Sequence, residues 1–145
     1  MVIGGIYMDI RKYPQFQLYL LTLKLLRLKN HLIPDGCDDR SINSTIINRA
    51  YFSSYLFCEL WLDDVMNFRP IPINEFNSKE ERISEHVQVR NALKGFGKNI
   101  IGYKLSKLSE LRKKADYEPY TDLTPTDISD AINHMEQIFN HLTFE

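Results

Sequence analysis

Ile42-Asn43-Ser44-Thr45-Ile46-Ile47-Asn48-Arg49-Ala50-Tyr51-Phe52-Ser53-Ser54-Tyr55-Leu56-Phe57-Cys58-Glu59-Leu60-Trp61-Leu62-Asp63-Asp64-Val65-Met66-Asn67 reads as one helix that is apolar on most of its circumference. At about 100° per residue, Ile46, Ala50, Phe57, Leu60 and Trp61 gather around Ser53 on one side. Tyr51, Tyr55, Cys58 and Leu62 gather on another. Such a helix belongs at the centre of a bundle, because neighbours must cover it nearly all round. Asn48, Glu59 and Asp63 form a narrow polar strip interrupted by Phe52, with Arg49 at the edge between Leu56 and Leu60.

Outward from this segment, every other element also reads as helical or as a connection. Leu18, Leu21, Leu25, Leu28 and Leu32 recur at three- and four-residue spacings, which predicts a helix from about Gln15 to Leu32 with Pro14 just ahead. Phe16, Leu20 and Leu23 form a second apolar line on that helix, continued by Arg27 and His31. Pro34-Asp35-Gly36 is turn chemistry, and the stretch from Asp38 to Ser44 offers several N-caps. After the proline-punctuated connection Arg69 to Ser78, a third helix is expected from about Glu80 to Lys94, with Ile83, His86, Val87, Arg90 and Leu93 on one face. Gly95-Phe96-Gly97 ends it.

A fourth helix from about Asn99 to Tyr117 carries Ile101, Leu105, Leu108 and Ala115 along one apolar line, and Arg112 falls on the same line. Pro119 favours its stop. Thr124-Pro125-Thr126-Asp127 resembles a capping box, followed by the stripe Ile128, Ala131, Ile132, Met135, Phe139 and Leu142. No strand alternation of useful length occurs. The expectation is an all-α bundle of four to five helices, with residues 1–14 as an N-terminal extension and 15–145 as a single helical domain.

Composition narrows the function. The 145 residues are 43% hydrophobic and 26% charged, ordinary for one globular domain, and the net charge of -1 predicts no strong non-specific grip on nucleic acid. Cys37 and Cys58 are too few and too far apart for a metal cage or a disulfide framework, which points to a reduced, cytoplasmic setting. The opening Met1 to Met8 lacks the basic start and long apolar run of a signal peptide or membrane span. Neither a Gly-rich phosphate loop nor a Gly-x-Ser-x-Gly elbow is present, and the Glu-x-x-His pairs of di-iron bundles are missing. No metal and no cofactor are therefore expected.

What remains is a set of polar residues leaning inward from three helices: Arg49, the pair His86 and Arg90, and Arg112 with Asp116 and Tyr117. An arginine facing a core needs a counter-charge, and Asp116 lies one turn from Arg112 on the same side. Arginine and histidine can together grip a phosphodiester, and histidine can move a proton near neutral pH. The alternative is that each is tied up by a carboxylate such as Glu59, Asp63 or Glu85, holding the fold together. Lys113 and Lys114 suit a helix C-terminus by opposing its dipole. His134 and His141 share a solvated edge of the last helix.

Two motifs carry a resemblance. Asn48-Arg49-Ala50-Tyr51-Phe52-Ser53-Ser54-Tyr55 looks like the Arg-Ala-Tyr-Tyr-Ala core of small stand-alone HEPN-domain proteins (higher eukaryotes and prokaryotes nucleotide-binding), and Leu111-Arg112-Lys113-Lys114-Ala115-Asp116-Tyr117 resembles their Arg-x-x-Ala-Asp-Tyr signature. The resemblance spans about Gln15 to Leu142. It implies a helical bundle that dimerises, in a family rich in RNA-cutting toxins and antiphage proteins, many working beside a nucleotidyltransferase antitoxin. Active members place a histidine after an arginine with four to six residues intervening, and a 2′-hydroxyl attacks the adjacent phosphate without metal. Here no arginine has a histidine at that spacing: Tyr117 stands in the position after Arg112, while Arg27 with His31 and Arg82 with His86 are one residue too close. The resulting expectation is a defence or toxin-antitoxin component that binds RNA or nucleotide. Arg112, His86 and Tyr117 are the candidate catalytic residues, and Arg49, Arg90, Lys113 and Asp116 the candidate binding residues. A non-catalytic helical dimerisation module is the competing expectation.

Overall fold

Asp38 opens the central helix: its carboxylate accepts from the Ser41 N–H at 3.0 Å, and its hydrogen bond with Ser41 holds its pKa below the usual carboxylate value. In this computed structural model, which describes residues 2–3, 6–7 and 12–144, the helix so capped is α2, Asp39–Met66. Asn67 ends it in the left-handed region at φ 53, and the Phe68 N–H turns back to the Leu62 carbonyl at 2.9 Å. α2 buries Ile46, Ile47, Ala50, Tyr51, Phe57, Cys58 and Leu62 almost completely. It packs against α1 (Pro14–Leu32), α3 (Glu85–Gly95), α4 (Asn99–Tyr117) and α5 (Pro125–His141). The bundle is all-helical in its framework, with a 3-10 turn at Ile73–Glu75 and a two-residue antiparallel ladder, β1 (Val2–Ile3) with β2 (Ile6–Tyr7). The N-terminal extension read over 1–14 lies largely outside the described residues, and Pro14 already occupies the first turn of α1.

Two sequence expectations need correction. The leucine line of α1 packs only in part: Leu25 and Leu32 lie against the core, but Leu21 and Leu28 are 47% and 41% exposed, and Tyr19, Thr22, Leu23 and Leu26 complete the contacting side. Thr22 lies on that side fully buried, its hydroxyl donating to the Leu18 carbonyl at 2.7 Å. α3 starts five residues later than expected, because the Ser84 hydroxyl accepts the Val87 N–H and fixes the cap there. Lys79 to Glu81 lie in a turn, and Ile83 is exposed rather than part of the packed face.

α4 and α5 follow the sequence closely. The Thr124 and Asp127 side chains exchange hydrogen bonds with each other's backbone in a full capping box, and Lys114 adds an ion pair to Asp127 at 2.8 Å. Gly102 lets α4 meet α3: a Cβ there would sit 3.3 Å from the Arg90 carbonyl and 3.2 Å from Lys94 Cγ. At the far end, the Trp61 indole N–H donates to the Thr143 carbonyl at 2.8 Å, and Phe57 stacks on Phe139 with centroids 4.1 Å apart. No described helix is long and apolar enough to cross a membrane.

Candidate functional site

Three helices bring a histidine, two arginines and a set of rings to one place. Tyr51 and Tyr55, one turn apart on α2, turn their rings toward the first turn of α3, where His86 stands. The His86 imidazole stacks on Tyr55 with centroids 4.0 Å apart and planes within 7°. Its Nδ1 is hydrogen-bonded to the Tyr51 hydroxyl. A buried phenol must find such a partner, since Tyr51 is only 1% exposed.

Arg112 reaches the same rings from α4. Its guanidinium carbon lies 5.9 Å from the Tyr51 centroid, 5.4 Å from Phe52 and 5.4 Å from Tyr117. Nε approaches Asp116 Oδ2 at 2.9 Å, forming the i to i+4 ion pair that the sequence suggests, with both side chains 23% exposed. The pair sits at the rim rather than deep in the core. Its geometry is ionic rather than directional: the buried Nε–H has no aligned acceptor, and no hydrogen bond from this guanidinium to a described residue is formed. Asp116 spends its other capacity on Asn48, whose amide donates to the same oxygen at 3.0 Å and ties α2 to α4.

The charges around His86 set its protonation. Burial, then Arg112, then Arg90 push its pKa below the ordinary 6.5, while Glu85 pulls weakly the other way. The ring is therefore neutral near pH 7. Burial raises Tyr51, partly offset by the nearby Ser109 hydroxyl and the two arginines. Burial also raises Tyr55, reinforced by Glu59 and Glu85. Both phenols stay protonated.

The structure thus brings Arg112, His86, Arg90, Asp116 and Tyr117 to one neighbourhood. Tyr117 forms its outer edge at 68% exposure. Arg49 does not join it: it is exposed on α2 rather than leaning inward, because its neighbours Asn48 and Ala50 face α4 and the core instead. Lys113 is likewise exposed, on the outer side of α4. Asp63 pairs with Arg69 at 2.8 Å, so it is not the partner of any site arginine. The histidines of α5 also differ from expectation: His141 is exposed, but His134 is half-buried, with a buried Nδ1 that has no hydrogen-bond partner. Among the described residues no group of three His, Cys, Asp or Glu side chains is placed to hold a metal ion.

Tyr51 and Tyr55 read in the sequence as an apolar side of the central helix and Asn48 as part of its polar strip rather than as site residues, and Ser109 gave no signal there, although two tyrosines four residues apart in a buried helix signal hydroxyls in need of partners. Arg40 was also missed. From the first turn of α2 it donates to the carbonyls of Lys114, Ala115, Glu118 and Thr121 at 2.8–3.3 Å, and Ser44 adds a bond to Ala115. These bonds satisfy the open C-terminal end of α4 and fix the turn that carries Arg112 and Tyr117. No family model, no curated protein and no solved structure matches the chain.

Proposed function

We propose that the chain is a HEPN-like component of a prokaryotic defence or toxin-antitoxin system that binds the phosphates of RNA or a nucleotide at Arg112 and His86. The observation that carries the reading is the Arg112 guanidinium. It is held between Tyr51, Phe52 and Tyr117, yet donates no hydrogen bond to a described residue. Its pairing with Asp116 does not block an anion. A partly exposed ion pair is worth about 0–1 kcal/mol, whereas each charge-assisted bond from a guanidinium to phosphate is worth about 1.5–3 kcal/mol. Arg90 adds positive potential, and the exposed Tyr117 ring offers a face to a base. A homodimer and a nucleotidyltransferase antitoxin are the partners that the family resemblance supports.

The test is fluorescence anisotropy with a short single-stranded RNA, run beside incubation of the protein with total RNA in EDTA. Binding that is lost in Arg112→Ala supports the reading, and a folded wild-type protein that binds no RNA sinks it. Cleavage in EDTA that is lost in both Arg112→Ala and His86→Ala would add transesterification. In that reaction the 2′-oxygen bonds phosphorus and gives its proton to water, the bond to the 5′-oxygen breaks and that oxygen takes a proton from water, while Arg112 and His86 hold the phosphate. A second reading, a non-catalytic interaction module, is favoured by the internal pairing of Asn48 with Asp116 and Tyr51 with His86. It predicts neither binding nor cleavage.

A further inference from the structure

We propose that Tyr51 is a positioning residue that holds His86 as its neutral Nε2–H tautomer, making His86 a hydrogen-bond donor to a phosphoryl oxygen beside Arg112. The inference rests on the phosphate-binding reading and deepens it, since it gives His86 a donor's role in place of a base's.

The argument is a count of protons. Among the described residues the Tyr51 hydroxyl has His86 Nδ1 as its hydrogen-bond partner, and it has one hydrogen to give. Tyr51 is 1% exposed, so a hydroxyl that accepted from an Nδ1–H instead would leave its own buried hydrogen without an acceptor. The hydrogen therefore goes to Nδ1, which accepts it only if that nitrogen is unprotonated. A neutral imidazole then carries its hydrogen on Nε2.

The surroundings keep the ring neutral and aimed. Arg90 on its own helix and Arg112 on α4 both disfavour a second proton, Glu85 opposes them, and α2 presents only uncharged Tyr51, Phe52 and Tyr55. The parallel stack on Tyr55 fixes the ring plane. Nε2 has no partner among the described residues. A neutral N–H next to two arginines complements the oxygens of a phosphodiester. It cannot take the proton of a 2′-hydroxyl, because its only basic lone pair is already engaged with Tyr51.

Two-bond proton–nitrogen NMR correlations on the 15N-labelled full chain at about pH 7.5 read the tautomer directly. The expected wild-type pattern for His86 is Nε2–H, and Tyr51→Phe, which keeps the ring and its packing, should give a mixture of tautomers. An Nδ1–H or imidazolium pattern in the wild type overturns the proposal, as does an unchanged pattern in folded Tyr51→Phe. His86→Gln supplies a donor amide without a base. It should bind a short single-stranded RNA within about threefold of wild type, while His86→Ala binds about tenfold more weakly. Equal losses in the two variants overturn the donor role. A wild-type Nε2–H tautomer in a protein that binds no RNA leaves the Tyr51 assignment standing and removes the phosphate-binding reading beneath it.

Discussion

Arg112 is a charge placed where a leucine would complete a stripe. Ile101, Leu105, Leu108 and Ala115 on that stripe are buried, but Arg112 emerges where α4 reaches the rim of the bundle, among rings that accept a cation. Replacing it by alanine should weaken RNA binding by roughly 100-fold, and replacing it by lysine by roughly tenfold, because lysine keeps the charge but not the planar fork. Urea denaturation should meanwhile move by less than about 1 kcal/mol, since the pair with Asp116 is partly solvated. A large loss of stability with unchanged binding would make Arg112 a structural residue. Its misfit and its pairing with Asp116 were legible in the sequence, because both are matters of helical spacing. Its meeting with His86 was not, because the two residues belong to different helices whose relative rotation no spacing encodes.

The helices themselves divide in the same way. α4 and α5 announce themselves by periodicity, a capping box and Pro119, all local signals. α1 has leucines on every side, so periodicity alone could not say which of them face the core. The Arg40 clamp joins residues more than 70 positions apart and leaves no local trace. Arg40→Ala should cost about 1–3 kcal/mol in urea denaturation, with faster amide exchange over residues 114–121, because four carbonyls lose their donor. No change in either would show that water replaces the guanidinium without cost. At the α3 and α4 crossing, Gly102→Ala gains about 1 kcal/mol of helix propensity and meets the Arg90 carbonyl only slightly too closely, so it should be near neutral. Gly102→Val is too large for that gap. It should destabilise by about 1–3 kcal/mol and weaken RNA binding as well, since the same crossing carries Arg90.

At the scale of the whole molecule, the half-buried histidines make stability depend on pH. His86 and His134 both have folded pKa values below the 6.5 of a free imidazole, each chiefly through burial. Lys104 and Lys107 reinforce the effect at His134, and Asp130 opposes it. Below about pH 6.5 the unfolded chain takes up protons that the native state refuses, so acidification favours unfolding. The melting temperature should fall between about pH 7.5 and pH 5.5, and His86→Gln with His134→Gln should flatten that slope. An identical slope in the double variant would show that neither histidine carries the acid sensitivity.

The all-round burial of α2 also bears on how the chain is made. When Met66 leaves the ribosome, α1 is the one neighbouring helix of the bundle already made, and roughly 75 residues must follow before Thr143, some 4–15 seconds of synthesis at about 5–20 residues per second. Through most of that interval Phe57, Cys58, Trp61 and Leu62 have no α5 to lie against, and the latch from Trp61 to Thr143 closes only once Thr143 has emerged. A nascent chain stalled in the loop after α2 should therefore recruit a holding chaperone, whereas one extended well past Thr143 should not.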